Sequence, residues 1–277
     1  MLETLKKTIK TPDGVSLHYD SLGTSKKGAL VLLHGLGGDL GAWDHERRLL
    51  ADLGYTSYAI DLRGHGLSDK PSTSHSYAIP QFAADIAHII RKEELESSIL
   101  IGHCFGGMVA LTTAALYPEG ISSLILIDTS FKPPFIGNSK TSAVLLRKIA
   151  EIIANYSESE PSTSHINFAP FIGGGDFDPK RILSDITHTS LATYLQVCSS
   201  FLEFDGSELL KKIHIPTLVI TGDKDRIFPP LIAEELSRRI IDSHVSHIPS
   251  GNHIVVLNNP KEVTDEVDMF IKSLLKS

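Results

Sequence analysis

Short apolar runs that end in glycine or a polar residue constrain this chain more than any other feature. ALVLLHG (29–35) is continuous and ends in glycine, the pattern of a strand buried on both faces. TSYAIDL (56–62), SSILIGH (97–103) and SSLILIDT (122–129) repeat it, and PTLVITGD (216–223) and SHVSHIPS (243–250) resume it farther on. VSLHYD (15–20) alternates apolar with polar residues instead, as an edge strand with one wet face does. Helical patterns lie between the runs. Residues 78–95 put Phe82, Ile86, Ile89 and Ile90 on one face, and FGGMVALTTAALYP (105–118) is rich in helix formers and stops at Pro118. Further helices are expected near 230–241 and 259–275. Strands alternating with helices predict an α/β fold, a doubly wound and mostly parallel sheet covered on both faces.

The alternation lapses from 131 to 212, where helices and loops occur without a strong strand. Residues 141–156 carry Leu145, Ile149, Ile152, Ile153 and Tyr156 on one stripe. SESEPSTSH (157–165) and GGGDFDP (173–179) read as polar loops, and a helix is expected to start with Asp178 as cap and Pro179 in its first turn. Leu191, Leu195, Cys198 and Phe201 or Leu202 form a second stripe. A helical excursion between two halves of a sheet has the anatomy of a lid. The expected organisation is a core of 1–130 and 213–277 with a helical cap at 131–212, inserted after the sixth strand.

The net charge of −7, with Lys and Arg scattered, argues against a nucleic-acid surface. No window approaches the ~18 apolar residues of a membrane span, and the N-terminus lacks an apolar core of signal-peptide length. A soluble, cytoplasmic protein is expected. Cys104 and Cys198 are the two cysteines, too few for a disulfide framework and without the spacing of a zinc site. No metal or cofactor is called for, since GGGDFD lacks the Lys-Ser/Thr of a phosphate loop. Nothing in the sequence speaks to oligomeric state.

Chemistry concentrates at IGHCFGGM (101–108). A nucleophile on a tight strand-to-helix turn needs small neighbours, supplied by Gly102, Gly106 and Gly107. The following helix directs its positive end at the nucleophile, favouring a thiolate, and its first N–H groups are free for an oxyanion. The backbone N–H of Phe105 is one candidate donor, and that of Leu36 in HGLGGD (34–39) is the second. PSGNHIVV (249–256) places His253 in a loop beyond a strand, and TGDKDRIFPP (221–230) places carboxylates in another. Loops at the C-terminal ends of parallel strands converge on one edge of such a sheet, so nucleophile, acid and histidine meet there. Cys198, lacking a glycine frame, reads first as a packing residue.

HGLGG, DLRGHGLSDKP (61–71), GHCFGG, GDKDRIFP and GNHIVVLNNP occur in that order from 34 to 260. In this the chain resembles the α/β-hydrolase fold family, in its capped branch. The resemblance implies a catalytic triad of Cys104, His253 and Asp225, with Asp223 a turn residue and Asp128 the rival acid. Most members have serine at position 104, while dehalogenases and epoxide hydrolases have aspartate. Cysteine occurs in enzymes resembling dienelactone hydrolase, some thioesterases and polyester synthases, whose chemistry is acyl transfer. The implied function is hydrolysis of carboxylic esters, lactones or thioesters through an acyl-cysteine. An acyltransferase and a carbon–carbon bond hydrolase are alternatives on the same fold, and a non-catalytic small-molecule receptor is one of another class. A serine hydrolase whose nucleophile had been exchanged for cysteine would read the same way. His34, Trp43, His103, Tyr194 and Cys198 are candidates for the substrate pocket. With Phe131, Phe135, Phe168, Phe171 and Phe201 they suit a partly apolar small-molecule acyl substrate.

Overall fold

A computed structural model describes residues 3–25, 27–133, 144–145, 148–149, 151–153 and 162–276. Its centre is an eight-stranded sheet of order β1-β2-β4-β3-β5-β6-β7-β8. The strands are β1 (Thr4–Lys10), β2 (Ser16–Leu22), β3 (Leu30–Leu33), β4 (Ser57–Ile60), β5 (Ser98–His103), β6 (Ile121–Ile127), β7 (Thr217–Gly222) and β8 (Ser243–Ile248). From β4 to β8 every pairing is parallel, and β2 alone is reversed, running antiparallel to both of its neighbours, β1 and β4. This is the doubly wound, mostly parallel sheet expected from the apolar runs.

The unbroken apolar character of the central strands has a direct cause. Val31 and Leu33 join one core cluster, and Leu30 and Leu32 join the other on the opposite face. Each face is covered: α2 (Ile79–Lys92) and α3 (Phe105–Leu116) supply the first cluster, α1 (Asp44–Asp52) and the C-terminal helix (Pro260–Leu274) the second. Side chains alternate across a strand, so a sheet covered on both faces requires apolar residues at every position. Full burial of each such Leu or Ile contributes about 1.5–3 kcal/mol.

The expectation of β2 as a wet edge is corrected. β1 pairs along its whole length and takes the edge, and six of the seven residues of β2 are buried. The polar face of β2 meets protein rather than water: Asp20 lies 3.8 Å from the buried Arg47 of α1 and 3.2 Å from His18. Alternation marks two unlike faces, and here the second is a buried charged layer.

Between β6 and β7 the described residues hold helices and turns and no strand. Two helices are well defined there, α4 (Pro179–Thr189) and α5 (Leu191–Glu203). Asp178 caps α4 through a hydrogen bond from the Lys180 N–H (2.9 Å), with Pro179 at its first position, as the sequence predicts. Phe135 and Tyr156 lie outside the described residues, as does most of the loop from 157. Leu145, Ile149, Ile152 and Ile153 are helical.

The DLRGHGLSD loop is anchored by a buried ion pair. Arg63 forks onto Asp85 of α2, with Nε and Nη2 each 2.6 Å from a carboxylate oxygen, and its Nη1 donates to the Ser76 carbonyl (3.0 Å). Removing one partner of such a pair strands the other charge in the interior. Asp85→Ala is expected to destabilise the fold by about 3–5 kcal/mol, read as a lowered urea midpoint, whereas replacing the exposed Asp265 should leave the midpoint unchanged.

Candidate active site

Cys104 stands at the junction of β5 and α3 with φ 52° and ψ −116°. This left-handed conformation is costly for a residue with a Cβ and persists only where the surroundings enforce it. The enforcing contacts are visible. The Cys104 N–H donates to the Ile127 carbonyl of β6 (3.0 Å), and the Cys104 carbonyl accepts from Thr129 Oγ1 (2.6 Å) and the Gly107 N–H (3.0 Å). A Cβ on Gly102 would strike the Gly106 carbonyl, and one on Gly106 would strike the carbonyls of Leu33 and His34. Glycine at both positions therefore lets α3 begin in backbone contact with β3 and β5, aiming its N-terminus at the Cys104 side chain.

The loop after β3 is held from below by two histidines. His34 donates from Nδ1 to the Gly35 carbonyl (2.8 Å) and accepts the Leu62 N–H at Nε2 (3.1 Å). His65 donates from Nδ1 to the Arg63 carbonyl (3.0 Å) and accepts the Gly37 N–H at Nε2 (3.2 Å). Burial pushes His34 down to about 4 and His65 down to about 3, so both rings are neutral at pH 7 and one tautomer of each satisfies both of its bonds. The two anchors fall on either side of Leu36. Neither the Leu36 N–H nor the Phe105 N–H donates a hydrogen bond among the described residues.

His253 is buried beside Cys104. Its Nδ1 lies 2.9 Å from Asp225 Oδ2. Asp225 Oδ1 accepts the N–H groups of Ile227 (2.7 Å) and Phe228 (2.8 Å), which fix the carboxyl group in place. Burial alone would lower the affinity of His253 for its proton. The Cys104 sulfur and the Asp225 carboxylate together overcome that effect and hold the imidazolium well above the ordinary histidine range. The His253 ring thus sits between the Cys104 sulfur and the Asp225 carboxyl group.

The rival acid is close by. Asp128, at φ 41°, accepts the Gly222 N–H at Oδ1 (2.8 Å), and its Oδ2 is buried without a hydrogen-bond partner among the described residues. Burial, with Asp225 alongside, raises its carboxyl well above the usual range despite the nearby His253. Asp223 is exposed and pairs with His247 on the edge strand (3.0 Å).

The remaining candidates separate by position. His103 donates from Nε2 to the His253 carbonyl (2.7 Å) and is pushed down to about 3 by burial. His34 and Trp43 are sealed in the interior, Trp43 within the core cluster on the α1 side of the sheet. Tyr194 and Cys198 face the site from α5. Tyr194 packs against Gly37, and Phe201, two turns on, touches Phe228 (6.2 Å between ring centroids), which in turn touches His253 (5.6 Å). Cys198 lies between them on the same face. Burial, then the nearby Cys104, pushes the Cys198 thiol up to about 12.

One anchoring residue escapes sequence reasoning. Asp176, in the middle of GGGDFDP, accepts the His253 N–H at Oδ1 (2.9 Å) and the Arg226 N–H at Oδ2 (3.0 Å). It ties the insertion to both the histidine and the acid loop. Its sequence signal is an aspartate in a glycine-rich loop, which carries no hint of a partner some fifty to eighty residues away.

Two groups of His and Asp side chains have ligand atoms within 4.8 Å of one another, His18–Asp61–His165 and His103–Asp128–His253. In the first, Asp61 already accepts the N–H groups of Leu40 and Leu67 (2.9 Å each) and His165 Nε2 (2.8 Å). In the second, His103 Nε2 and His253 Nδ1 are engaged as described. His18 Nε2 in the first and Asp128 Oδ2 in the second have no hydrogen-bond partner among the described residues. No helix among the described residues is long and apolar enough to cross a membrane.

The sequence model of the family described as alpha/beta hydrolase fold matches residues 28–165. A non-heme chloroperoxidase of Streptomyces lividans is 27% identical over 282 residues, covering 96% of this chain and 99% of its own. Among solved structures, a thermophilic esterase from Thermogutta terrifontis superposes with a TM-score of 0.72 at 26% identity, covering 98% of each chain. An esterase from Exiguobacterium antarcticum superposes at 0.77 with 22% identity, covering 97% of this chain and all of its own.

The charge pairing at the site predicts a titration. Replacing Cys104 with Ser removes the sulfur that does most to raise His253, so the His253 pKa falls, measured by NMR of its ring protons. A value raised in the folded state contributes stability below the ordinary histidine pKa of about 6.5 and loses it as pH climbs through the folded value. Wild type should therefore lose more stability toward alkaline pH than Cys104→Ser does, read by urea denaturation across that range.

Proposed function

We propose, for a chain that belongs to the α/β-hydrolase fold family and is an enzyme of the hydrolase class, that it hydrolyses carboxylic esters through an acyl-cysteine on Cys104. The observation that carries this reading is the strained Cys104 elbow facing a His253 whose far nitrogen is held by Asp225 at 2.9 Å. Esterases among the structural neighbours support the substrate class.

The steps follow from the geometry. The Cys104 thiolate attacks the ester carbonyl carbon, and the carbonyl oxygen becomes an oxyanion. The Leu36 and Phe105 N–H groups, free of other acceptors among the described residues and fixed by the loop and by the start of α3, stabilise that charge. The carbon–oxygen bond to the leaving group breaks, and the departing alkoxide takes the proton from His253 Nε2. A water then enters, His253 removes its proton, and hydroxide attacks the thioester. Collapse releases the carboxylic acid and restores the thiolate and imidazolium. Asp225 fixes the tautomer and orientation of His253 throughout. His34 and His65 are neutral with both ring nitrogens bonded, and the neutral His103 is held through Nε2 by the His253 carbonyl, so the three position the loops rather than move protons. Residues 131–212 act in this reading as a cap whose α5 forms one wall of the pocket.

The test is rapid mixing with a p-nitrophenyl acyl ester, with intact-mass analysis of the quenched protein. Wild type is expected to show a burst of nitrophenol and a mass increment of one acyl group. Cys104→Ala should lose both, with kcat/KM falling on the order of 10³-fold or more. Asp225→Asn should cost at least about 100-fold, and Asp128→Asn less than about tenfold, since only Asp225 is bonded to His253 Nδ1. Release unchanged in Cys104→Ala would overturn the nucleophile, and the reverse order of the two aspartate variants would overturn the acid.

A further inference from the structure

Buried carboxyl oxygens are paired with donors, and one that is not calls for an explanation. Asp128 Oδ2 is such an oxygen, buried without a donor among the described residues. The residue itself is firmly held. Its N–H donates to the Ile220 carbonyl of β7 (2.9 Å), and its Oδ1 accepts the Gly222 N–H (2.8 Å).

Gly222 gathers the neighbouring pieces. Its carbonyl accepts the Asp225 N–H (3.0 Å), and a Cβ on it would strike the carbonyls of Gly251 and Asn252, in the loop that carries His253. One glycine at the end of β7 therefore sets both acids and the histidine loop. The side chains of Asp128 and Asp225 come within hydrogen-bonding reach of each other.

Two carboxyl groups in contact need a proton between them, and the other donors decide which group keeps it. Asp225 receives three: the N–H groups of Ile227 (2.7 Å) and Phe228 (2.8 Å) at Oδ1, and His253 Nδ1 (2.9 Å) at Oδ2. Asp128 receives one, from Gly222. Donors favour the group that accepts, so the proton stays on Asp128. Burial, with Asp225 alongside, raises the Asp128 carboxyl in the same sense. The other titratable groups facing it are His103 and His253, each with a ring nitrogen within 4.8 Å of an Asp128 oxygen. His103 is neutral through burial and directs Nε2 to the His253 carbonyl, and His253 directs Nδ1 to Asp225. A carboxylate offers about four acceptor positions. With the Asp128 proton, each one on Asp225 is filled.

Resting on the ester-hydrolase reading above, we propose that Asp128 is a positioning residue, a protonated side chain that donates from Oδ2 to the Asp225 carboxyl group and so holds Asp225 against His253 Nδ1. It acts through Asp225 and touches no substrate. The acid at the end of β6 serves the acid after β7 instead of competing with it.

The test has two readouts. The first is carbon-13 NMR of aspartate labelled at Cγ, at pH 7, with Asp128 assigned by its absence in Asp128→Asn. Wild type is expected to show this resonance at the position of a carboxylic acid, and Asp225→Asn, which alters the acceptor, is expected to shift it. A carboxylate position, or no response to Asp225→Asn, overturns the inference whatever the activity. The second is kcat/KM on a p-nitrophenyl acyl ester as a function of pH. Asp128→Asn replaces the O–H donor with an amide N–H and is expected to lose less than about tenfold, with the acid limb in place. Asp128→Leu has no donor and is expected to lose about 10-fold to 100-fold, with the acid limb moved up by about one pH unit. Equal losses in the two variants, or an unmoved acid limb in Asp128→Leu, overturn the inference and leave the ester-hydrolase reading standing. If Asp128→Leu does not fold, the carbon resonance decides alone. Absence of turnover by wild type, with no acyl mass increment, overturns the ester-hydrolase reading, while a carboxylic-acid resonance that responds to Asp225→Asn in that protein still upholds the bond from Asp128 to Asp225.

Discussion

The close approach of α3 to β3 and β5 is the contact on which the rest of the structure depends. Backbone meets backbone there, at Gly102 against Gly106 and at Gly106 against the Leu33 and His34 carbonyls. No side chain fits between these elements, so the chain reverses at Cys104 in one conformation, at φ 52°. The reversal puts the sulfur at the head of α3. It also leaves the Phe105 N–H without an acceptor among the described residues and sets the Leu33–His34 end of β3 against the helix. Cys104, the Phe105 N–H and the start of the loop after β3 are thus placed by a single steric event.

Around this point the protein distributes charge with economy. Four buried groups stand close together, and their environments drive three of them in different directions: burial lowers His103 and raises Asp128, while Cys104 and Asp225 raise His253, which Asp225 holds at 2.9 Å. Separation of neighbouring groups into opposite protonation states is the arrangement that lets proton transfer run at one pH. His34 and His65 belong to the same logic on the other side of the site. Burial removes their charge and turns them into rigid two-ended struts for the loop around Leu36.

Much of this was legible in the sequence. Apolar runs gave away the parallel sheet because a doubly covered strand has no polar face to hide. The elbow was legible because its glycines are required by contacts within a few residues of one another. Asp178 at the start of α4 was legible because capping is local. The failures are all long-range. β2 was misread because its polar face is satisfied by Arg47 on α1 rather than by water. β1, with Leu5 half exposed and lysines along it, lacks the apolar density that marks the inner strands. Asp176 was passed over because its partners lie in loops far along the chain. Trp43 and His34 could have faced a cavity or the core, and only the packing of the α1 side of the sheet decides between them.

Asp176 carries a consequence for how the two parts of the molecule vary. The segment before α4 meets the His253 loop through Asp176, which accepts the N–H groups of His253 and Arg226, and through Gly174, whose carbonyl accepts from the side chains of Asn252 and Asn258, while Ile166 and His165 tie it to Asp39 and Asp61. The stretch before α4 and the loop that carries His253 are therefore not independent modules: a change of register in residues 173–178 would carry the His253 backbone with it, so the two stretches vary as one unit.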